Sequence, residues 1–197
     1  MLGEVCAAKR VRGDADERWA GALAAEDLGI DTWPYRFRWA EKGTNEHWIG
    51  IFSTRDPDRL RRAVAFAAPR LTLARLGTGP TMSAAPMQWA EEADIKGQHH
   101  KLESVLVALR GLPGERWAFV ETGLRSPYSR VRRAAVVTLS RWPHELRPEG
   151  SSDTLRQCLE AEPDEELRPL MERALAGEQL HDIHDEPSPF RRGQSDA

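Results

Sequence analysis

The chain has 197 residues, of which 40% are hydrophobic and 30% charged, a composition that fits one or two soluble globular domains and excludes global disorder. Its 28 basic and 31 acidic residues give a formal net charge of -3, so overall charge demands neither nucleic acid nor anionic lipid. No apolar run approaches the ~20 residues that span a bilayer, and the opening MLGEVCAAKRVRGD lacks the apolar core of a secretory leader. Two cysteines, Cys6 and Cys158, form neither a disulfide framework nor a four-ligand zinc set, so a reducing, cytoplasmic setting is expected.

Helical spacing dominates from the first third of the chain onward. Asp16–Leu28 reads as a helix, and Pro34 opens another over Tyr35–Lys42, stopped by Gly43. Tyr35, Phe37 and Trp39 also alternate with Arg36 and Arg38, which leaves a β-hairpin over 35–52 as the competing reading. Trp48–Phe52 precedes Pro57 and the amphipathic run DRLRRAVAFAA. Leu76–Pro86 is rich in glycine, proline and small residues and reads as a loop. Gln98–Leu112 follows as a helix with Leu102, Val105, Leu106 and Leu109 on one stripe.

Glu115–Leu124 and Ser129–Trp142 are two helices whose four-residue link, Arg125–Tyr128, makes them antiparallel neighbours. In the second, Val131, Ala134, Ala135, Thr138, Leu139 and Trp142 share a face, and Pro143 ends it. Thr154–Ala161 and Glu165–Ala176 repeat this arrangement. Pro127 aligns with Pro163, Val131 with Leu167, Arg132 with Arg168 and Leu139 with Leu175, each 36 residues apart. Leu60-Arg61-Arg62-Ala63 matches Val131-Arg132-Arg133-Ala134 in the same way, through a turn one residue shorter. Gly177–Ala197 is polar and broken by proline, and is expected to be a flexible tail after a helical domain over 1–176.

GLRSPYSRVRRAAVVTLSRW and CLEAEPDEELRPLMERALAG resemble HEAT-type helical repeats, with Val131-Arg132 and Leu167-Arg168 at the aliphatic–arginine positions opening the second helix. The resemblance implies an all-α fold: an α-α superhelix, or solenoid, of four to five helical hairpins whose second helices line a concave surface. It also implies that the arginine braces neighbouring repeats. Proteins of this kind mostly serve as noncatalytic scaffolds for protein partners, although some bind nucleic acid and one group excises alkylated bases from DNA. Fold alone does not choose among these.

Charge distribution carries the functional expectation. Lys101–Arg147 holds nine basic and four acidic residues, net +5, and 55–75 adds +4, whereas Pro148–Glu186 is net -9. Arg61, Arg62, Arg130, Arg132, Arg133 and Arg141 are therefore the candidate contacts for an acidic protein partner, with Arg132 doubling as a candidate internal brace. Trp142 joins them if the ligand is nucleic acid, which needs exposed arginine and aromatic groups together, and otherwise closes the core of its helix. A base-excision enzyme would further need a carboxylate in that groove, such as Glu145.

Catalytic and metal signatures are sparse. Cys158 falls on an inward helix face, His99 and His100 point to different sides, and His181, Asp182, His184 and Asp185 sit in the expected tail where nothing fixes a ligand geometry. No nucleophile elbow, phosphate loop or dinucleotide fingerprint occurs. Cofactor and metal are not expected, and the leading expectation is a noncatalytic scaffold.

Overall fold

The computed structural model describes residues 25, 28–41, 45–80 and 93–181. Among the described residues there are nine α-helices and no strand. None is long and apolar enough to cross a membrane. The chain forms two compact units, Met1–Thr54 and Arg55–Ala197. This boundary puts Trp48 and Pro57, the two halves of the expected early hairpin, in different units.

The first unit contains α1 (Trp33–Glu41) and α2 (Asn45–Phe52). Residues 35–41 and 45–52 are thus helical. Burial does not follow the aromatic alternation that suggested a hairpin: Trp33, Arg36, Phe37 and Ala40 bury along one helix face, at three- and four-residue steps, and Tyr35 and Trp39 are half-buried. The indole of Trp33 donates to the Ile51 carbonyl at 3.0 Å, and its ring lies 5.1 Å from that of Phe37. Asp31 accepts the Trp33 N–H through Oδ1, which satisfies a donor at the helix start.

The second unit begins with α3 (Pro57–Ala67), whose start is fixed by Asp56 accepting from the N–H groups of Asp58 and Arg59 and by Pro57 in the first turn. Its buried residues Leu60, Ala63, Val64 and Ala67 form one stripe, packed on α5 (Ala93–Leu109). Between them lies the short α4 (Leu73–Leu76). Two helical hairpins follow, α6 (Trp117–Leu124) with α7 (Ser129–Arg141), and α8 (Ser151–Ala161) with α9 (Leu167–Leu175).

Helix α7 is the centre of this unit and packs against α5, α6 and α9. From Val131 to Ser140 every side chain is buried except Arg133. Its alanines and valines are what allow several helices to approach it at once, because small side chains leave room for neighbouring backbones. Gly123 of α6 meets the same need, since a Cβ there would lie 2.8 Å from Leu106 Cδ1 and 2.9 Å from Ala135 Cβ. Polar groups fix the register of α7 along α5: Arg130 Nε donates to Glu103 at 2.7 Å, Thr138 Oγ1 to the Leu106 carbonyl at 2.8 Å, and Trp142 Nε1 to the Leu109 carbonyl at 2.7 Å. Partner numbers rise together along both helices, so α5 and α7 run in the same direction.

The C-terminal end of α7 is closed by two arginines and a following segment. Arg147 donates from Nε to the Trp142 carbonyl and from Nη2 to the Ser140 carbonyl, groups left open at a helix end. Leu180 is 2% exposed; its N–H donates to Ser140 Oγ and its carbonyl accepts from Arg141 Nε. Gly177–His181 therefore belongs to the packed unit, and the remainder of the expected tail, 182–197, lies outside the described residues. The expected helix over 16–28 falls outside them as well, apart from Ala25 and Leu28.

Candidate functional site

The seven residues expected to bind a partner occupy three different environments. Arg132 and Trp142 are each 1% exposed and cannot meet a ligand. A long cation and a large ring on the apolar side of a helix look alike in sequence whether they face a core or a groove. Here Arg132 is enclosed because Glu162 neutralises it, with Nε to Oε2 at 2.7 Å and Nη2 to Oε1 at 2.6 Å. Trp142 is enclosed because the Leu109 carbonyl takes its indole proton.

Arg61, Arg62, Arg130 and Arg133 are exposed, and Arg141 is half-buried. Arg130 and Arg133, one turn apart, share an edge of α7, but Arg61 and Arg141 do not join them. Arg61, in the first half of α3, is held by Asp58 and Glu115, both at 2.9 Å, and Glu115 lies beyond the C-terminal end of α5. Arg130 instead meets Glu103, twelve residues earlier in the chain than Glu115. An exposed ion pair such as Arg61–Glu115 contributes about 0–1 kcal/mol, whereas the Glu103 carboxylate that meets Arg130 is buried; both pairs reduce the local positive field. Arg141 is engaged with the Leu180 carbonyl and with His181 Nδ1 at 3.3 Å. Arg133 differs from all of these: it is exposed, and among the described residues it has no ion-pair or hydrogen-bond partner.

The two hairpins of this unit share one turn geometry, and sequence pattern alone did not show how far the correspondence goes. Arg132 Nη1 donates to the Ser126 carbonyl at 3.0 Å, and 36 residues later Arg168 Nη1 donates to the Glu162 carbonyl at 3.0 Å. The Tyr128 N–H donates to Ser126 Oγ at 3.2 Å; 36 residues later the Asp164 N–H donates to Glu162 Oε1 at 2.9 Å. Residues 126 and 162 are thus the same turn position, filled once by a hydroxyl and once by a carboxylate. Each also meets a polar side chain from the preceding helix layer: Ser126 meets His99 of α5 at 3.2 Å, and Glu162 meets Arg132 of α7.

His99 is buried, and its ring sits edge-on to Tyr128 at 4.4 Å between centroids. Burial, and secondarily the neighbouring His100, push its pKa down to about 4. It is therefore a neutral imidazole at ordinary pH. Because Ser126 Oγ already accepts the Tyr128 N–H, its proton is available to His99 Nδ1. Ser126 is 0% exposed, so this serine–histidine pair is sealed from any substrate and acts as a structural contact.

Burial also pushes the Cys158 thiol above its ordinary pKa, outweighing the nearby Arg125, which keeps it a poor nucleophile. Glu145 is exposed in the short turn after α7, while the ring of Trp142 is inside, so the carboxylate and aromatic expected of a base-excision groove are not brought together. Among the described residues no group of three histidine, cysteine, aspartate or glutamate side chains is placed to hold a metal ion. Of the histidine–aspartate cluster at 181–185, His181 is exposed beside Arg141, and Asp182, His184 and Asp185 lie outside the described residues. No family model, curated protein or solved structure matches this chain.

Proposed function

We propose that the protein is a noncatalytic interaction module of HEAT-like helical hairpins that binds an acidic protein partner across the exposed side of α7. The observation that carries this reading is Arg133, the one exposed side chain between Val131 and Ser140 and a cation without a partner among the described residues. Burial of everything around it makes the helix a rigid platform, so a partner would meet a charge that is already positioned. The shared turn of the two hairpins supports the repeat reading, and repeat scaffolds commonly present such surfaces. Nucleic acid is a poorer fit, because Arg61 and Arg130 are paired with glutamates and no exposed aromatic accompanies Arg133 on α7.

Charge reversal separates the two ligands. Arg133→Glu alters a solvent-facing position and should leave helicity and melting unchanged. In affinity capture from extracts, a protein retained by the wild-type chain should be lost with Arg133→Glu. Fluorescence anisotropy with duplex DNA should detect no salt-sensitive binding. Tight, salt-sensitive DNA binding, or capture indifferent to residue 133, would overturn the reading.

A further inference from the structure

Two helices of the second unit reach forward to the next hairpin turn with a polar side chain. His99 of α5 meets Ser126 in the α6–α7 turn, and Arg132 of α7 meets Glu162 in the α8–α9 turn. Arg168 of α9 stands 36 residues after Arg132 and repeats its inward half, donating through Nη1 to the Glu162 and Leu159 carbonyls at 3.0 and 3.1 Å. Its outward half differs. The Nε and Nη2 atoms, which in Arg132 grip both carboxylate oxygens of Glu162, have no acceptor among the described residues in Arg168.

We infer that this outer edge of Arg168 is a receptor for a carboxylate carried on a turn of a partner protein, held bidentately as Glu162 is held by Arg132. Nη1, bonded to the Leu159 and Glu162 carbonyls at the C-terminal end of α8, already fixes the guanidinium plane, so little side-chain entropy is lost on binding. Other substitutions on α9 define the occupant further. Glu172 stands exposed where α7 has the fully buried Val136, and Pro169 stands where α7 has Arg133. An apolar helix layer would bury Glu172 unpaired, so the surface suits a narrow turn that reaches Arg168 without covering Glu172, rather than another stacked hairpin. Leu175 is half-buried in the place of the buried Leu139 and offers an apolar flank.

This inference rests on the interaction-module reading but on a different residue. The chain's own Glu162 turn supplies the probe: a peptide of Leu159–Leu167, LEAEPDEEL, and a control with Glu162→Gln. The full-length protein is labelled with nitrogen-15, and the Arg168 Nε–H signal is assigned by its disappearance in Arg168→Lys. That variant keeps the charge and a donor for the loop carbonyls, and its melting curve checks the fold. The Arg168 signal should shift saturably with the glutamate peptide, and the glutamine peptide should bind about tenfold more weakly.

No shift at millimolar peptide would overturn the inference, as would equal shifts with both peptides. A signal insensitive to peptide that changes when 182–197 is deleted would overturn it too, by assigning the edge to the chain's own end. Partner capture indifferent to residue 133, with a responsive Arg168, would leave this inference standing and remove the other reading.

Discussion

Arg132 and Glu162, thirty residues apart, form a two-pronged ion pair whose side chains are each 1% exposed. The remaining guanidinium donor goes to the Ser126 and Pro127 carbonyls, and the carboxylate also accepts the Asp164 N–H. One pair thereby joins α7, its own preceding turn and the turn of the next hairpin. Removing one partner strands the other as a buried charge, so Arg132→Ala or Glu162→Ala should cost about 3–5 kcal/mol. The double change Arg132→Met, Glu162→Leu should recover much of that loss. Urea unfolding of the four proteins measures both quantities; two additive single losses would show that the pair is not coupled.

His99 predicts a pH dependence. Its pKa in the folded protein, about 4, lies below the ordinary 6.5, so protons bind preferentially to the unfolded chain. Its contribution to stability is therefore complete above about pH 6.5 and is lost as pH falls toward 4. His99→Gln can keep a hydrogen bond to Ser126 without titrating in this range. The stability gap between wild type and this variant should move against the wild type between pH 6.5 and 4. A gap that is constant with pH would contradict a buried, neutral His99.

Gly123 tests the close approach of α6 to its neighbours. Gly123→Ala places a methyl within 3 Å of Leu106 and Ala135, and overpacking of this kind costs about 1–3 kcal/mol even though alanine favours a helix. A thermal melt should show a lower midpoint. Stabilisation by alanine would mean that the helices stand further apart than these distances.

Leu180 marks where packed structure continues past α9. Leu180→Ala should cost about 2–5 kcal/mol, in line with other buried leucines. Deletion from Gly177 onward should lower the melt further than deletion of 182–197 does, by at least as much as Leu180→Ala. Equal melts for both deletions would show that the Leu180 contact contributes nothing.

Helix positions were the most legible part of this chain. Apolar spacing marked α7 almost to its ends, and Pro57, Pro143 and the glycine-rich segment after Leu76 marked the breaks. The 36-residue offset also anticipated the common turn, because the aligned prolines and arginines occupy corresponding places in it. Arginine environments were not legible. Arg132 and Arg133 are adjacent and identical, yet one is sealed by a glutamate thirty residues away and the other faces solvent. That distinction depends on which helix packs across each side of α7, which the period of one helix does not specify. Leu180 escaped notice for a related reason: a single leucine among polar residues has no periodicity, and only the open end of α7 gives it a place.

The most direct test of the central proposal is a photo-cross-linking amino acid placed at position 133, with a control at the exposed Ala118 on α6. Irradiated in an extract, the chain carrying the probe at 133 should give a discrete protein adduct, and the chain carrying it at 118 should not. A nucleic-acid adduct at 133, or no difference between the two positions, would contradict α7 as the protein-binding surface.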